Sequence, residues 1–186
     1  INIINKINSY YSKDKKRNNY RVIITPPYTL IESYSKYFKN KKISIGAQNC
    51  YQKEQFSSNT AAISPYMLKS VGAKYTLVGH SDNRGEGDTD SMLNDKVRYA
   101  LKNNLKVVFC IGENKKEKKN KKTLNVLKKQ LTKVLEKKFG KNNIIVAYEP
   151  IWSIGPGKIP TVNELKKTTI HIKKVLKGIF KKTSPP

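Results

Sequence analysis

The segment from Ile144 to Lys158, IIVAYEPIWSIGPGK, limits what this chain can become more than any other. Ile144, Ile145, Val146, Ala147 and Tyr148 form a short continuous apolar run, the pattern of a strand buried on both faces. The run ends at an acid, Glu149, which is followed by Pro150. An apolar loop comes next, Ile151, Trp152, Ser153 and Ile154, closed by Gly155, Pro156, Gly157 and Lys158. A carboxylate at the carboxyl end of a buried strand, followed by an apolar loop with a Gly/Pro hinge, reads as a base beneath a lid. The apolar residues would exclude water and the hinge would take up the backbone change. A surface acid on an ordinary turn is the other reading, and spacing alone leaves both open.

The rest of the chain alternates strand and helix patterns. Short apolar runs occur at Arg21–Thr25, Lys42–Ala47, Tyr75–Gly79 and Leu105–Ile111. Helical periodicity covers Thr29–Phe38, Ser64–Val71, Ser91–Lys102 and Thr123–Lys137, and Ile1, Ile4 and Ile7 with Tyr10 and Tyr11 fit one face of a first helix. Pro65 suits a first helical position, and Thr161 with Glu164 predicts a capping box for the last helix. This is the βαβ rhythm of a parallel sheet. The pattern fits an open doubly wound sheet and a barrel equally, although no Gly-rich dinucleotide fingerprint follows the first strand. The length predicts one domain over residues 1–186. The tail from Thr183 to Pro186 reads as frayed.

The net charge of +25 comes from 38 basic and 13 acidic residues. Such an excess suggests a polyanion partner. The bases are nearly all Lys, with Arg only at 17, 21, 84 and 98. Arginine is the better bidentate reader of phosphates and guanine edges. Lys is abundant alongside Asn, Ile and Tyr, as coding bias in an AT-rich genome would produce, so no specific nucleic-acid partner is expected. No run reaches the roughly 18 apolar residues of a membrane span. Cys50 and Cys110 lack a CxxC partner and read as buried thiols of a reducing, cytoplasmic compartment. No metal-ligand spacing appears, and no cofactor is expected.

In a parallel sheet, reactive groups collect beyond the carboxyl ends of the strands. His80, in the segment LVGHSDNR, lies just past one buried run, as Glu149 lies past another. Ser81 and Asp82 follow it in a polar turn. Alone, His80 would read as a structural histidine; paired with Glu149 it reads as part of a site. Glu113 reads at most as a supporting carboxylate, Tyr148 as packing, His171 as structural or exposed, and Lys115–Lys122 as a solvated loop.

These segments resemble the triosephosphate isomerase family. AYEPIWSIGPGK is similar to the family's catalytic strand and mobile loop, and VGHSDNR to its V-G-H-S-E-R-R segment. GAQNCY, ISPYML and CIGE are similar to three further family segments. The resemblance implies a (β/α)8 TIM barrel and a glycolytic, cofactor-free aldose–ketose isomerase. Its substrates would be dihydroxyacetone phosphate and glyceraldehyde 3-phosphate. It implies Glu149 as the base, His80 as a neutral electrophile and Pro150 to Lys158 as the lid. Gly155 would contact the substrate phosphate, with Ser81 and Asp82 in support.

The departures carry expectations too. Asp82 replaces the family's Glu, Asn83 its Arg, and Ala61 and Ala62 the Gly and Glu of its F-T-G-E loop. The family is homodimeric, and that Glu pairs with that Arg across subunits. Both are replaced here, so dimerisation is left open. The family's N-x-K strand would precede Ile1, and its last two strands with their phosphate loops would follow Phe180. The expectation is therefore an incomplete barrel of about five parallel strands with flanking helices, open sheet edges and impaired catalysis. A non-catalytic isomerase remnant is the alternative, and a basic nucleic-acid-binding protein a more distant one.

Overall fold

The computed structural model describes residues 2–39, 42–53, 59–140, 143–155 and 158–180. Ile1, the lid residues Pro156 and Gly157, and the tail from Thr183 to Pro186 lie outside the described residues.

Five strands form one sheet in sequential order: β1 (Ile23–Ile24), β2 (Ser44–Ala47), β3 (Tyr75–Val78), β4 (Lys106–Ile111) and β5 (Ile144–Tyr148). Every neighbouring pair is parallel. Sequential parallel order with helical crossovers is half of a barrel wall rather than a doubly wound sheet, whose strand order reverses. The crossovers carry α2 (Ile31–Tyr37), α3 (Pro65–Ser70), α5 (Asp90–Lys102) and α7 (Thr123–Val134), with α1 (Asn2–Lys13) before and α8 (Val162–Phe180) after. Two short helices, α4 (Ser81–Gly85) and α6 (Lys115–Lys119), sit just past β3 and β4.

The helices start where side chains can satisfy free backbone N–H groups. Ser64 accepts from Met67 N, Thr89 from Met92 N and Asn114 from Glu117 N. Thr161 and Glu164 cap one another as their spacing predicts. Each such cap stabilises its helix by about 1 kcal/mol. The core lies between sheet and helices. Val107, Phe109 and Ile111 of β4 pack with Leu93 and Val97 of α5 and with Leu127 and Leu131 of α7, all buried.

Four expectations need correction. The first strand is two residues long, because the chain leaves its pairing with β2 before Pro26 and Pro27. The second predicted helix opens with a 3-10 turn at Tyr28–Leu30, and the stripe extended to Lys137 stops at Val134. The strand β5 is not buried on both faces. Ile144 is buried, Ile145 is 38% exposed and Val146 to Tyr148 are half-buried. Among the described residues β5 pairs with β4 alone.

Candidate functional site

Register brings the site together. Val78 pairs with Phe109, and Ile111 pairs with Tyr148. His80 and Glu149 therefore emerge at nearly the same height on either side of the end of β4. Two glycines make this approach fit. Gly79 takes φ +79°, a left-handed conformation that L side chains rarely adopt, and turns the chain so that His80 caps α4. At Gly112 a Cβ would stand 1.9 Å from the carbonyl oxygen of Glu149. Main-chain pairing holds this contact: Glu149 N donates to Ile111 O at 2.8 Å and Ile151 N to Glu113 O at 3.0 Å. The Gln130 amide clamps the Gly112 peptide from behind through Gly112 N to Oε1 (3.0 Å) and Nε2 to Gly112 O (2.9 Å).

His80 Nε2 lies 3.2 Å from Glu149 Oε2. On the other side of the ring, Asp82 N donates to Nδ1 at 3.3 Å, so Nδ1 acts as the acceptor. We assign the ring proton to Nε2, facing Glu149. The Asp82 carboxylate lies 3.4 Å from Nδ1 and is mostly solvent-exposed. Ser81 is half-buried and lines a narrow crevice with Arg84, Gly112, Glu149 and Ile151. Arg84 fastens the turn, donating to Gly79 O at 2.8 Å and Cys110 O at 3.4 Å, and its guanidinium faces the Phe109 ring. Burial pulls its pKa down.

A cavity of about 390 Å³ opens on the other flank of His80, lined by Thr25, Tyr28, Gln48, Asn49 and Asn83 among others. A small phosphorylated substrate needs a space of this kind beside the two reactive groups. A second hollow, of about 300 Å³, lies near the amino ends of β2 and β3, with Phe38, Ile43, Ile45 and Val71 in its wall. It contains neither candidate reactive group.

The loop after Glu149 starts as a 3-10 turn, Ile151–Ser153, and leads to exposed Ile154 and Gly155. Gly155 has φ +101° and open space around it. Ser153 Oγ donates to Lys158 O at 2.6 Å, joining the two sides of the loop. Trp152 Nε1 donates to Glu113 Oε1 at 2.7 Å. Glu113 is fully buried, and it also accepts from Tyr148 OH (3.2 Å) and Thr123 Oγ1 (3.1 Å). Burial, then the Glu113 charge, raises the pKa of Tyr148.

Sequence reasoning understated Glu113, which anchors the loop. A signal was present: Glu113 stands two residues past β4 much as Glu149 stands one past β5. It also missed Lys96, 4% exposed, whose ammonium binds both oxygens of Asp88 (2.8 and 2.7 Å) and Asn49 Oδ1 (3.0 Å). The signal there was a lysine on the same helix face as Leu93, Val97 and Ala100. The run expected as a solvated loop, Lys115–Lys122, contains α6, capped at Asn114 in both directions with Glu117. Ala61 lies at φ +65° at the position where the resembling family has Gly.

Fold and site together describe a parallel α/β barrel protein whose candidate reactive groups gather beyond the carboxyl ends of its strands. The sequence profile described as triosephosphate isomerase matches residues 1–185. The triosephosphate isomerase of Leptospira interrogans is 38% identical over 174 residues, 91% of this chain and 66% of that protein. That of Saccharomyces cerevisiae is 38% identical over 159 residues, 85% of this chain and 64% of its own length. The crystal structure of triosephosphate isomerase from Bartonella henselae superposes with a TM-score of 0.80 at 30% identity, over 88% of this chain and 65% of that one. The chain belongs to the triosephosphate isomerase family. It spans about two thirds of the length of the relatives it matches.

Proposed function

We propose that this chain carries the acid–base centre of a triose-phosphate isomerase, interconverting dihydroxyacetone phosphate and D-glyceraldehyde 3-phosphate in glycolysis and gluconeogenesis. The observation that carries this reading is the 3.2 Å approach of His80 Nε2 to Glu149 Oε2, with Nδ1 occupied by the N–H of Asp82. Substrate enters between the two groups. Glu149 removes a proton from the hydroxyl-bearing carbon, and the electron pair moves toward the carbonyl oxygen. His80, an uncharged donor, stabilises that oxygen as the enediolate forms. The hydroxyl proton passes from one oxygen of the enediolate to the other at His80 Nε2, and Glu149 returns the carbon proton to the neighbouring carbon, so atoms and charge balance without a cofactor. In this reading the loop that leads from Glu149 closes over bound substrate, with Ile151 and Ile154 excluding water. Gly155 offers a main-chain N–H to the phosphate. Ser81 and Asp82 hold the turn that presents His80.

The test is incubation with dihydroxyacetone phosphate in D2O, read by NMR for product and for carbon-bound deuterium. The expected result is deuterium on carbon together with glyceraldehyde 3-phosphate. Exchange is read separately, because proton abstraction needs only Glu149 and the oxyanion donor. Neither exchange nor product, from protein whose circular dichroism shows it folded, would reject the proposal.

A further inference from the structure

The composition around Lys118 predicts a solvated lysine, and the structure gives it two partners on the candidate lid. Its ammonium donates to Glu164 Oε1 at 2.5 Å and stands 4.9 Å from the centroid of the Trp152 ring. These partners bracket the loop. Trp152 sits in the 3-10 turn that begins it. Glu164 sits in the first turn of α8, where Oε2 accepts from Thr161 N (2.8 Å) and Oγ1 (3.0 Å) at the far end of the loop. Lys118 stands on a fixed base, since the Asn114–Glu117 cap holds α6 directly after Glu113.

We propose that Lys118 is a positioning residue that fastens both ends of the Pro150–Thr161 loop to one point on α6, and so sets how far the loop travels over His80 and Glu149. The proposal rests on the base-and-lid reading above. One cation serving both ends couples their motion: release of Trp152 frees the ammonium to follow Glu164, and loss of Glu164 removes the charge that holds the ammonium over the indole. The Lys118 and Glu164 side chains are 32% and 42% exposed. Water therefore screens the contact, making it a reversible fastener rather than a lock. The Lys118 hydrogen bond, then those from Thr161, holds the Glu164 carboxyl at about 2, so this partner stays ionised at neutral pH.

Trp152 is the only tryptophan in the chain, so its fluorescence reports the loop without a label. The experiment compares the full chain with Lys118→Gln and Lys118→Arg by acrylamide quenching and by hydrogen exchange. In Lys118→Gln, quenching should rise about twofold and amides at both 151–154 and 159–164 should exchange faster, while α5 is unchanged. Lys118→Arg keeps the charge and the ring contact and should behave as the parent. Parental quenching in Lys118→Gln overturns the proposal, as does faster exchange at one end only. Faster exchange spread through α6 and α8 also overturns it, since that is a purely structural loss. No readout uses substrate. A fastened loop on a chain that exchanges no substrate proton would remove the isomerase reading and leave the fastener.

Discussion

Trp152 donates its indole N–H to a carboxylate, Glu113, that is wholly removed from solvent. The contact joins the start of the loop to the end of β4, and Tyr148 and Thr123 donate to the same carboxylate. A buried carboxylate is tolerated only where several donors offset its lost hydration. Glu113→Leu leaves three donors without their acceptor and should destabilise by about 3 kcal/mol or more, whereas Trp152→Phe removes one donor and should cost about 1–2 kcal/mol. Urea unfolding measures both. Equal costs for the two variants would mean that the carboxylate is not the centre of the network.

The pair at the head of the site gives the next expectation. Glu149→Gln keeps the shape and the contact to His80 while removing the base. Relative to the parent chain, kcat should fall about 10²- to 10⁴-fold with little change in KM. His80→Gln keeps a donor but loses the fixed ring, and should lower kcat less than Glu149→Gln. Steady-state kinetics decide the order. A fall in KM alone for Glu149→Gln would remove Glu149 from the chemistry.

What the sequence made legible follows from range. Glu149 and His80 could be found because each ends a buried apolar run, and strand ends are where a parallel sheet exposes reactive groups. The sequential sheet was foreshadowed by the alternation of short runs with helical stripes. Contacts that span the chain left weaker traces. Lys96 meets Asn49 across 47 residues, and Lys118 meets Glu164 across 46. No local periodicity encodes such distances. The shortening of β1 was likewise not readable from apolar character, because it depends on where the chain leaves its pairing with β2, whose register takes in Ile23 and Ile24.

Burial sets the behaviour of the thiols. It pushes Cys50 up to about 12 and Cys110 up to about 11, the charge of Glu149 adding to the second. At pH 8 the thiolate fraction of Cys50 drops to about one in ten thousand, against about one in ten for a free thiol with the reference value of 9. Ellman's reagent should therefore react with the folded chain at least about 100-fold more slowly than with the chain in guanidinium, where both thiols titrate. The folded values are raised, so the neutral thiols contribute stability fully below pH 9, and it is lost as pH rises through 11 to 12. Stability that increases over that alkaline range would contradict the sign.

Ala61 offers a test of backbone strain. Its φ of +65° places an L side chain in the left-handed region. That conformation costs about 1–2 kcal/mol for a residue with a Cβ. Ala61→Gly relieves it, but glycine also frees the unfolded chain, which returns about 0.4–1 kcal/mol. The strain term wins, and the variant should be more stable by about 0.5 kcal/mol. Thermal unfolding of the two chains settles the sign. A less stable Ala61→Gly would mean that the methyl group makes packing contacts worth more than the strain.

Lys96 and Asp88 form a nearly solvent-free pair, with Asn49 as the third member. Replacing one partner leaves the other's charge buried, so Lys96→Met and Asp88→Asn should each cost about 3–5 kcal/mol. The double variant carries no orphaned charge and should cost well below the sum of the two, with a coupling of about 2 kcal/mol or more. Asn49 lines the cavity beside His80, so the pair also reaches the site. Lys96→Met should therefore raise KM even at temperatures where the variant is folded, and the double variant should not restore it, because Asn49 Oδ1 then keeps only the Cys50 N–H and still lacks the Lys96 ammonium. A double-mutant cycle by urea unfolding, with KM measured in parallel, separates the two roles. Additive costs would show that each group is held by other partners, and an unchanged KM in a folded Lys96→Met would confine the pair to stability.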